Sequence, residues 1–341
     1  MRSVTLLIAS GVLWLGLVQL SGRLGIPPQI ISLLRSGYIG TFSIFLLLEL
    51  RRGDGLSALR PRGLYLYLAP LLSLFILAFY SADLVLTPRL LALVAVFYAC
   101  QFMLLYLRSA MGQIRSAVWD LVPPFILLVL CAGTFTLAVG AVATAGFLYW
   151  LLSRPIDGGD RSDAVDSVIM QLPSICIAPV VLIALRDIFD AQHAIPREHV
   201  ESFGLIVNGV GAAVWTAIVM RASNILRPSA LGLWVASTAA AALLPFFPVG
   251  IVASALAICV AEGFRGANWL GLTYLLSHLG RWRGFGVNLF ATMLPLCALW
   301  IGTHHLPVQY LMLVYAVFLA PVPLLTIWLG RPVVRPVATA G

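Results

Sequence analysis

The feature that most constrains this chain is a pattern seen at its plainest between Asp166 and Arg221. An apolar run from Ser167 to Leu185 is broken by Pro173 and Pro179 and closes on Arg186-Asp187. A short polar turn with two histidines and Pro196 follows, and a second apolar run, Val200 to Met220, ends at Arg221. Each run is long enough to cross hydrocarbon, which takes about 20 helical residues at roughly 1.5 Å each. The turn is too small for a domain, so the pair reads as a membrane hairpin. The same alternation fills the rest of the sequence. With 61% hydrophobic and only 10% charged residues, the chain has no polar coat for a soluble fold, which carries charge on about a quarter of its residues.

Counting runs gives an all-α polytopic membrane protein of about twelve transmembrane helices. They fall near 4–20, 29–49, 64–80, 88–107, 119–136, 138–153, 168–187, 201–221, 229–246, 248–263, 284–301 and 308–329. The first run begins like a signal peptide but has no convincing cleavage site and reads as the first span. The stretch 268–280 is either an interfacial half-helix or an extension of the tenth span. The expected division is an N-terminal six-helix lobe (1–153), a cytoplasmic linker (154–167), a C-terminal six-helix lobe (168–330) and a cytoplasmic tail (331–341). Prolines inside the runs, among them Pro173, Pro179 and Pro295, mark kinks. Each removes a backbone donor, and in lipid the freed groups need a protein partner or a cavity.

Charge supports an even span count. All 21 basic residues are arginine. Sixteen fall in segments on the side of the N-terminus, four (Arg23, Arg89, Arg186 and Arg197) fall on the other, and Arg35 lies within a span. The positive-inside rule then puts both termini in the cytoplasm. The arginines form no stripe, which argues against nucleic acid. Asp157, Asp160, Asp163 and Asp166 read as a solvated linker, since a calcium loop would need a terminal glutamate. The five cysteines show no pairing or metal spacing, and no cofactor is expected. His193, His199 and Glu198 do not match a helix-borne zinc motif. No phosphate-cradling glycine loop, paired aspartate-rich motif or Ser-His-Asp set appears.

A few polar residues stand out against this apolar ground. Arg35, with Ser32 and Ser36 nearby, lines a cavity, snorkels to an interface or pairs structurally. At membrane depth an arginine is expensive, and its planar fork suits a phosphate. Asn208, among Gly204, Gly209 and Gly211, and Gln101 are the further substrate-binding candidates. Asp120 pairs with Arg115, caps a helix or serves a gate. Arg186, Asp187 and Asp190, followed by Arg197, Glu198, His199 and Glu201, form either an ion-pair gate or a solvated turn.

The region 150–227 resembles the Wzx-type polysaccharide flippases of the multidrug/oligosaccharidyl-lipid/polysaccharide exporter superfamily. The resemblance lies in Arg154-Pro155, Gln171-Leu172-Pro173, Arg186-Asp187-Ile188, the Glu198 to Phe203 entry and Arg227-Pro228, with Leu279-Gly280-Arg281 in the tail. The chain is shorter than such flippases, and Arg23 to Tyr38 differs from their usual entrance sequence. The resemblance implies a twelve-span core that turns a polyprenyl-diphosphate-linked oligosaccharide across the bacterial inner membrane. Arg35 would hold the diphosphate, with bilayer lipid and a polysaccharide polymerase or glycosyltransferase as partners. Three rivals stay open: a small-molecule exporter, an integral membrane enzyme acting on a lipid-linked substrate, and a non-transporting member of a synthesis complex.

Overall fold

The computed structural model describes residues 2–38, 71–78, 84–111, 117–153, 161–193, 197–221, 225–248, 250–303 and 306–328, and all the regular structure among them is helical. Helix α1 (Arg2–Gln19) runs into the short α2 (Ser21–Leu24), which Gly25 stops by turning left-handed at φ 64°. That conformation is open to glycine and strained for other residues. Helices α3 (28–38) and α4 (71–78) follow. Helix α5 (Pro88–Ala110) starts where Thr87 Oγ1 accepts from Leu90 N and Pro88 occupies the first turn, a favoured cap and entry.

A 3-10 turn over Ala117–Leu121 leads to α6 (Val122–Cys131), and α7 (Thr134–Ser153) begins after two residues. Then come α8 (Arg161–His193), α9 (Arg197–Arg221), α10 (Leu226–Leu243), α11 (Ile251–Leu276) and α12 (Arg281–Thr303). Helices α13 (Val308–Leu319) and α14 (Pro321–Trp328) are separated by Ala320 alone.

Twelve spans in two six-helix lobes is not what the chain builds. Among the described residues five helical segments are long and apolar enough to cross a membrane: Pro88–Arg108, Ile169–Arg186, Leu226–Phe246, Ile251–Leu276 and Gln309–Trp328. The protein is thus a multi-spanning helical membrane protein, and among its described residues there are fewer such spans than the apolar runs suggest. Among the described residues, counting runs overshoots for one physical reason. The runs at 119–136 and 138–153 become the shorter apolar stretches Val118–Cys131 and Thr134–Trp150. In α9 and α12, at the runs 201–221 and 284–301, the side chains of 212–213, 215–221 and 301–303 lie outside the described residues. Much of 29–49 and 64–80 lies outside the described residues, as do 154–160 of the expected linker 154–167 and the tail from 329, while 161–167 belongs to α8. The stretch 268–280 belongs to α11 as far as Leu276.

The apolar core is also not divided by sequence halves. Tyr38, Phe102, Leu105 and Tyr106 pack into one cluster with α8, α11 and α13. Val180 and Ile183 of α8 and Leu205 of α9 join a second cluster with α1, α3 and α5. Helices α5 and α8 therefore contribute to both.

Both α8 and α12 carry internal prolines and remain helical through them. Pro179 cannot donate to the carbonyl four residues back, and that oxygen, Ile175 O, accepts from Ser73 Oγ of α4 at 3.2 Å. The corresponding oxygen for Pro295, Ala291 O, accepts from Asn268 Nδ2 of α11 at 3.5 Å. Beside Pro173, Met170 O accepts from Asn288 Nδ2 at 2.5 Å, and Ser174 Oγ donates to Asn288 Oδ1 at 2.6 Å. Neighbouring side chains thus take over backbone groups that hydrocarbon would leave bare.

Candidate functional site

Helix α9 places Glu201, Gly204, Leu205 and Asn208 at i, i+3, i+4 and i+7, a single stripe, and all four are buried. Charged groups from three other helices converge on that stripe. Glu201 Oε2 accepts from Arg186 Nη1 of α8 at 2.6 Å and from Ser32 Oγ of α3. Arg186 Nη1 also reaches Ser32 Oγ at 3.2 Å. Gly204 makes room for this pair, because a Cβ there would stand 2.6 Å from Arg186 Cζ.

One turn further on, Arg35 Nη1 donates to Leu205 O at 2.5 Å. Asn208 Nδ2 contacts Glu262 Oε1 of α11 at 3.4 Å, and Glu262 Oε2 accepts from Arg265 Nε at 2.6 Å. Arg35 lies within electrostatic reach of Arg186, Glu262 and Arg265, so these groups make one cluster. At its edge Gln19 Nε2 donates to Ser202 Oγ at 2.8 Å, tying α1 to α9.

Charge does not balance here. Three guanidiniums (Arg35, Arg186, Arg265) face two carboxylates (Glu201, Glu262), and each carboxylate already holds an arginine. Among the described residues Arg35 is 6% exposed and pairs with a carbonyl only, leaving a formal surplus of one positive charge. A buried charge without an opposite partner is costly, by about 3–5 kcal/mol when a pair is broken. Three polar atoms of the cluster are buried with no hydrogen-bond partner among the described residues: Glu201 Oε1, Asn208 Oδ1 and Arg265 Nη2. Of these only Arg265 Nη2 is a donor, so the feature that favours an added negative charge is the surplus guanidinium of Arg35 and not the unpartnered oxygens.

Other expected site residues are distributed differently. Asp120 belongs to a second polar knot: Oδ1 accepts from Arg108 Nη1 at 2.9 Å and from Tyr38 OH at 2.7 Å. Among the described residues its ion-pair partner is Arg108; Arg115 lies outside them. Ser10 Oγ donates to Asp120 O at 2.6 Å, so the knot joins α1, α3, α5 and the 3-10 turn. Gln101 of α5 is fully buried, and neither end of its amide has a partner among the described residues; no hydrogen bond links it to the cluster. Asp187, Asp190 and His193 lie on α8, but their side chains are outside the described residues. Arg186 does not end its helix, which continues for a further seven residues to His193. Among the described residues no three His, Cys, Asp or Glu side chains converge as metal ligands.

Sequence reasoning passed over Glu262 and Arg265. Arg265 was expected in a cytoplasmic segment, and it lies inside α11. The signal was present, since a Glu and an Arg three residues apart in an apolar run share a helix face. Glu201 was placed in a polar turn, although Glu201, Leu205 and Asn208 already follow helical spacing.

No family model matches the chain, and neither the curated proteins nor the solved structures compared with it give a match.

Proposed function

We propose that this membrane protein translocates an anionic lipid-linked substrate, a polyprenyl-diphosphate-linked oligosaccharide used in polysaccharide biosynthesis. The supporting observation is the surplus buried guanidinium of Arg35. A diphosphate supplies both the missing negative charge and several acceptor oxygens, which a planar guanidinium meets with paired hydrogen bonds. Arg186 and Arg265 extend the same electrostatic field on either side, and Asn208 offers an adjoining amide.

Transport follows from competition for these cations. A bound diphosphate draws Arg35, and then Arg186 or Arg265, away from their present partners. The released Glu201 or Glu262 weakens the contacts that join α9 to α3, α8 and α11. Such an exchange of partners lets one arrangement of helices open to either side of the membrane. Both termini lie in the cytoplasm of a bacterial inner membrane on this reading, and a polymerase or glycosyltransferase handles the glycan on either side.

The test is the leaflet on which the lipid-linked sugar resides. Cells lacking the protein, and cells carrying Arg35→Ala at normal abundance, should trap it on the cytoplasmic leaflet. Normal turnover in both would refute the proposal.

A further inference from the structure

Helices α5, α6 and α7 pack beside one another and leave a groove of about 410 Å³, whose lining includes Cys100, Phe125, Val129, Phe135, Val139 and Gly140. Gly140 lets α7 approach its neighbours, because a Cβ there would stand 2.7 Å from Leu130 Cδ2 and 3.2 Å from Val96 Cγ1. Phe125, Val129, Phe135 and Val139 are exposed, so the groove opens away from the bundle. Its polar groups are turned to the protein. Thr136 Oγ1 donates to Gly133 O at 2.8 Å, and Cys100 Sγ lies 3.7 Å from Thr144 Oγ1, which itself donates to Gly140 O. What meets an occupant is almost wholly carbon.

A cleft this apolar, opening onto hydrocarbon, is filled by hydrocarbon in preference to water. Helical rise puts Cys100 about 16 Å from Arg89 along α5, roughly half of a hydrocarbon core about 30 Å thick. The groove therefore runs the depth of one leaflet, the reach of an acyl chain. Its polar end is built as well. Arg89 is exposed at the start of α5 and lines, with Thr87, Cys131 and Leu137, a smaller recess that shares Leu130 with the groove. Arg23, also exposed, lies two residues before Gly25, which lines the same recess. A guanidinium meets a phosphodiester with paired hydrogen bonds and repels the ammonium of a zwitterionic headgroup. The Arg35 cluster is elsewhere: Tyr98 OH donates to Leu33 O of α3 at 3.1 Å, and Cys100 stands about 200° further round α5.

We propose that the groove between α5, α6 and α7 holds one acyl chain of an anionic phospholipid whose phosphodiester lies on Arg89. This lipid is a resident of the fold and not the translocated substrate, so the inference stands whether or not Arg35 binds a diphosphate. It completes the packing of α6 and α7, whose apolar stretches are shorter than the span beside them in α5.

The full chain, purified in mild detergent and titrated with phosphatidylglycerol or phosphatidylcholine, is read by native mass spectrometry. The wild type should retain one phosphatidylglycerol about fivefold more tightly than phosphatidylcholine, and Arg89→Gln should erase that preference. Ala143→Phe, which fills the groove from an exposed position, should weaken both lipids in protein that melts like the wild type. Arg35→Ala should leave retention unchanged. The inference is overturned by equal retention in the wild type and Ala143→Phe, by a preference that survives Arg89→Gln, or by loss of the lipid in Arg35→Ala. Displacement of the bound lipid by a polyprenyl-diphosphate sugar would overturn it too, giving the groove to the substrate.

Discussion

Adding one methyl group at Gly204 sets two opposing effects against each other. Exchanging a helix-interior glycine for alanine stabilises a helix by about 0.8–1 kcal/mol. Here the new carbon would stand 2.6 Å from Arg186 Cζ and 2.8 Å from Arg186 Nη2, against an ordinary contact of about 3.5–4.0 Å. The guanidinium must retreat by about 1 Å, yet Nη1 is held by Glu201 at 2.6 Å and Ser32 at 3.2 Å. Losing that charge-assisted bond costs about 1.5–3 kcal/mol, so Gly204→Ala should be destabilising by about 1–2 kcal/mol net. Gly146→Ala on α7, where an added Cβ meets nothing within 4 Å, should be neutral or stabilising. The assay is thermal unfolding in detergent, followed by circular dichroism. Repeated in an Arg186→Met background, Gly204→Ala should lose its penalty, since the two groups couple only by contact. Equal behaviour of Gly204→Ala and Gly146→Ala would show that Arg186 does not occupy this slot.

Glu201→Leu leaves Arg186 buried without its carboxylate and should cost about 3–5 kcal/mol, read as loss of folded protein in size-exclusion chromatography. Ser73→Ala bares the Ile175 carbonyl and should cost about 1–3 kcal/mol. Adding Pro179→Ala restores a backbone donor to that oxygen, so the double variant should recover most of the loss in the same melts. Asp120→Asn removes the charge that Arg108 and Tyr38 share. Because Asp120 is 18% exposed, water compensates in part and the expected loss is about 1–2 kcal/mol; no change would mean that the knot carries no energy.

Much of the helical framework was legible because apolar runs of about 20 residues have few alternatives in lipid. The runs at 88–107, 168–187, 229–246 and 308–329 lie close to spans in the structure. What sequence could not decide was how the runs share their neighbours. Tyr38 and Phe102 pack with C-terminal helices, which a division at the 154–167 linker cannot anticipate. The charged site shows the same limit. Arg35 and Asn208 stood out as polar residues in apolar runs, and their placement on one cluster depends on α3, α9 and α11 meeting. Arg265 was hidden because the tenth run was ended too early, at 263, where its hydropathy fell. Polar residues dilute apolar runs where they face one another inside a bundle, so hydropathy falls at the buried polar stripe.

The account rests on the surplus charge of Arg35 being an anion site. Its most direct measurement is binding of a polyprenyl-diphosphate sugar to the protein in nanodiscs, wild type against Arg35→Ala, with the uncharged polyprenol as control. A tenfold or greater loss of affinity, about 1.4 kcal/mol or more, is expected for the diphosphate lipid alone. Equal affinity of the two proteins for it would contradict the account.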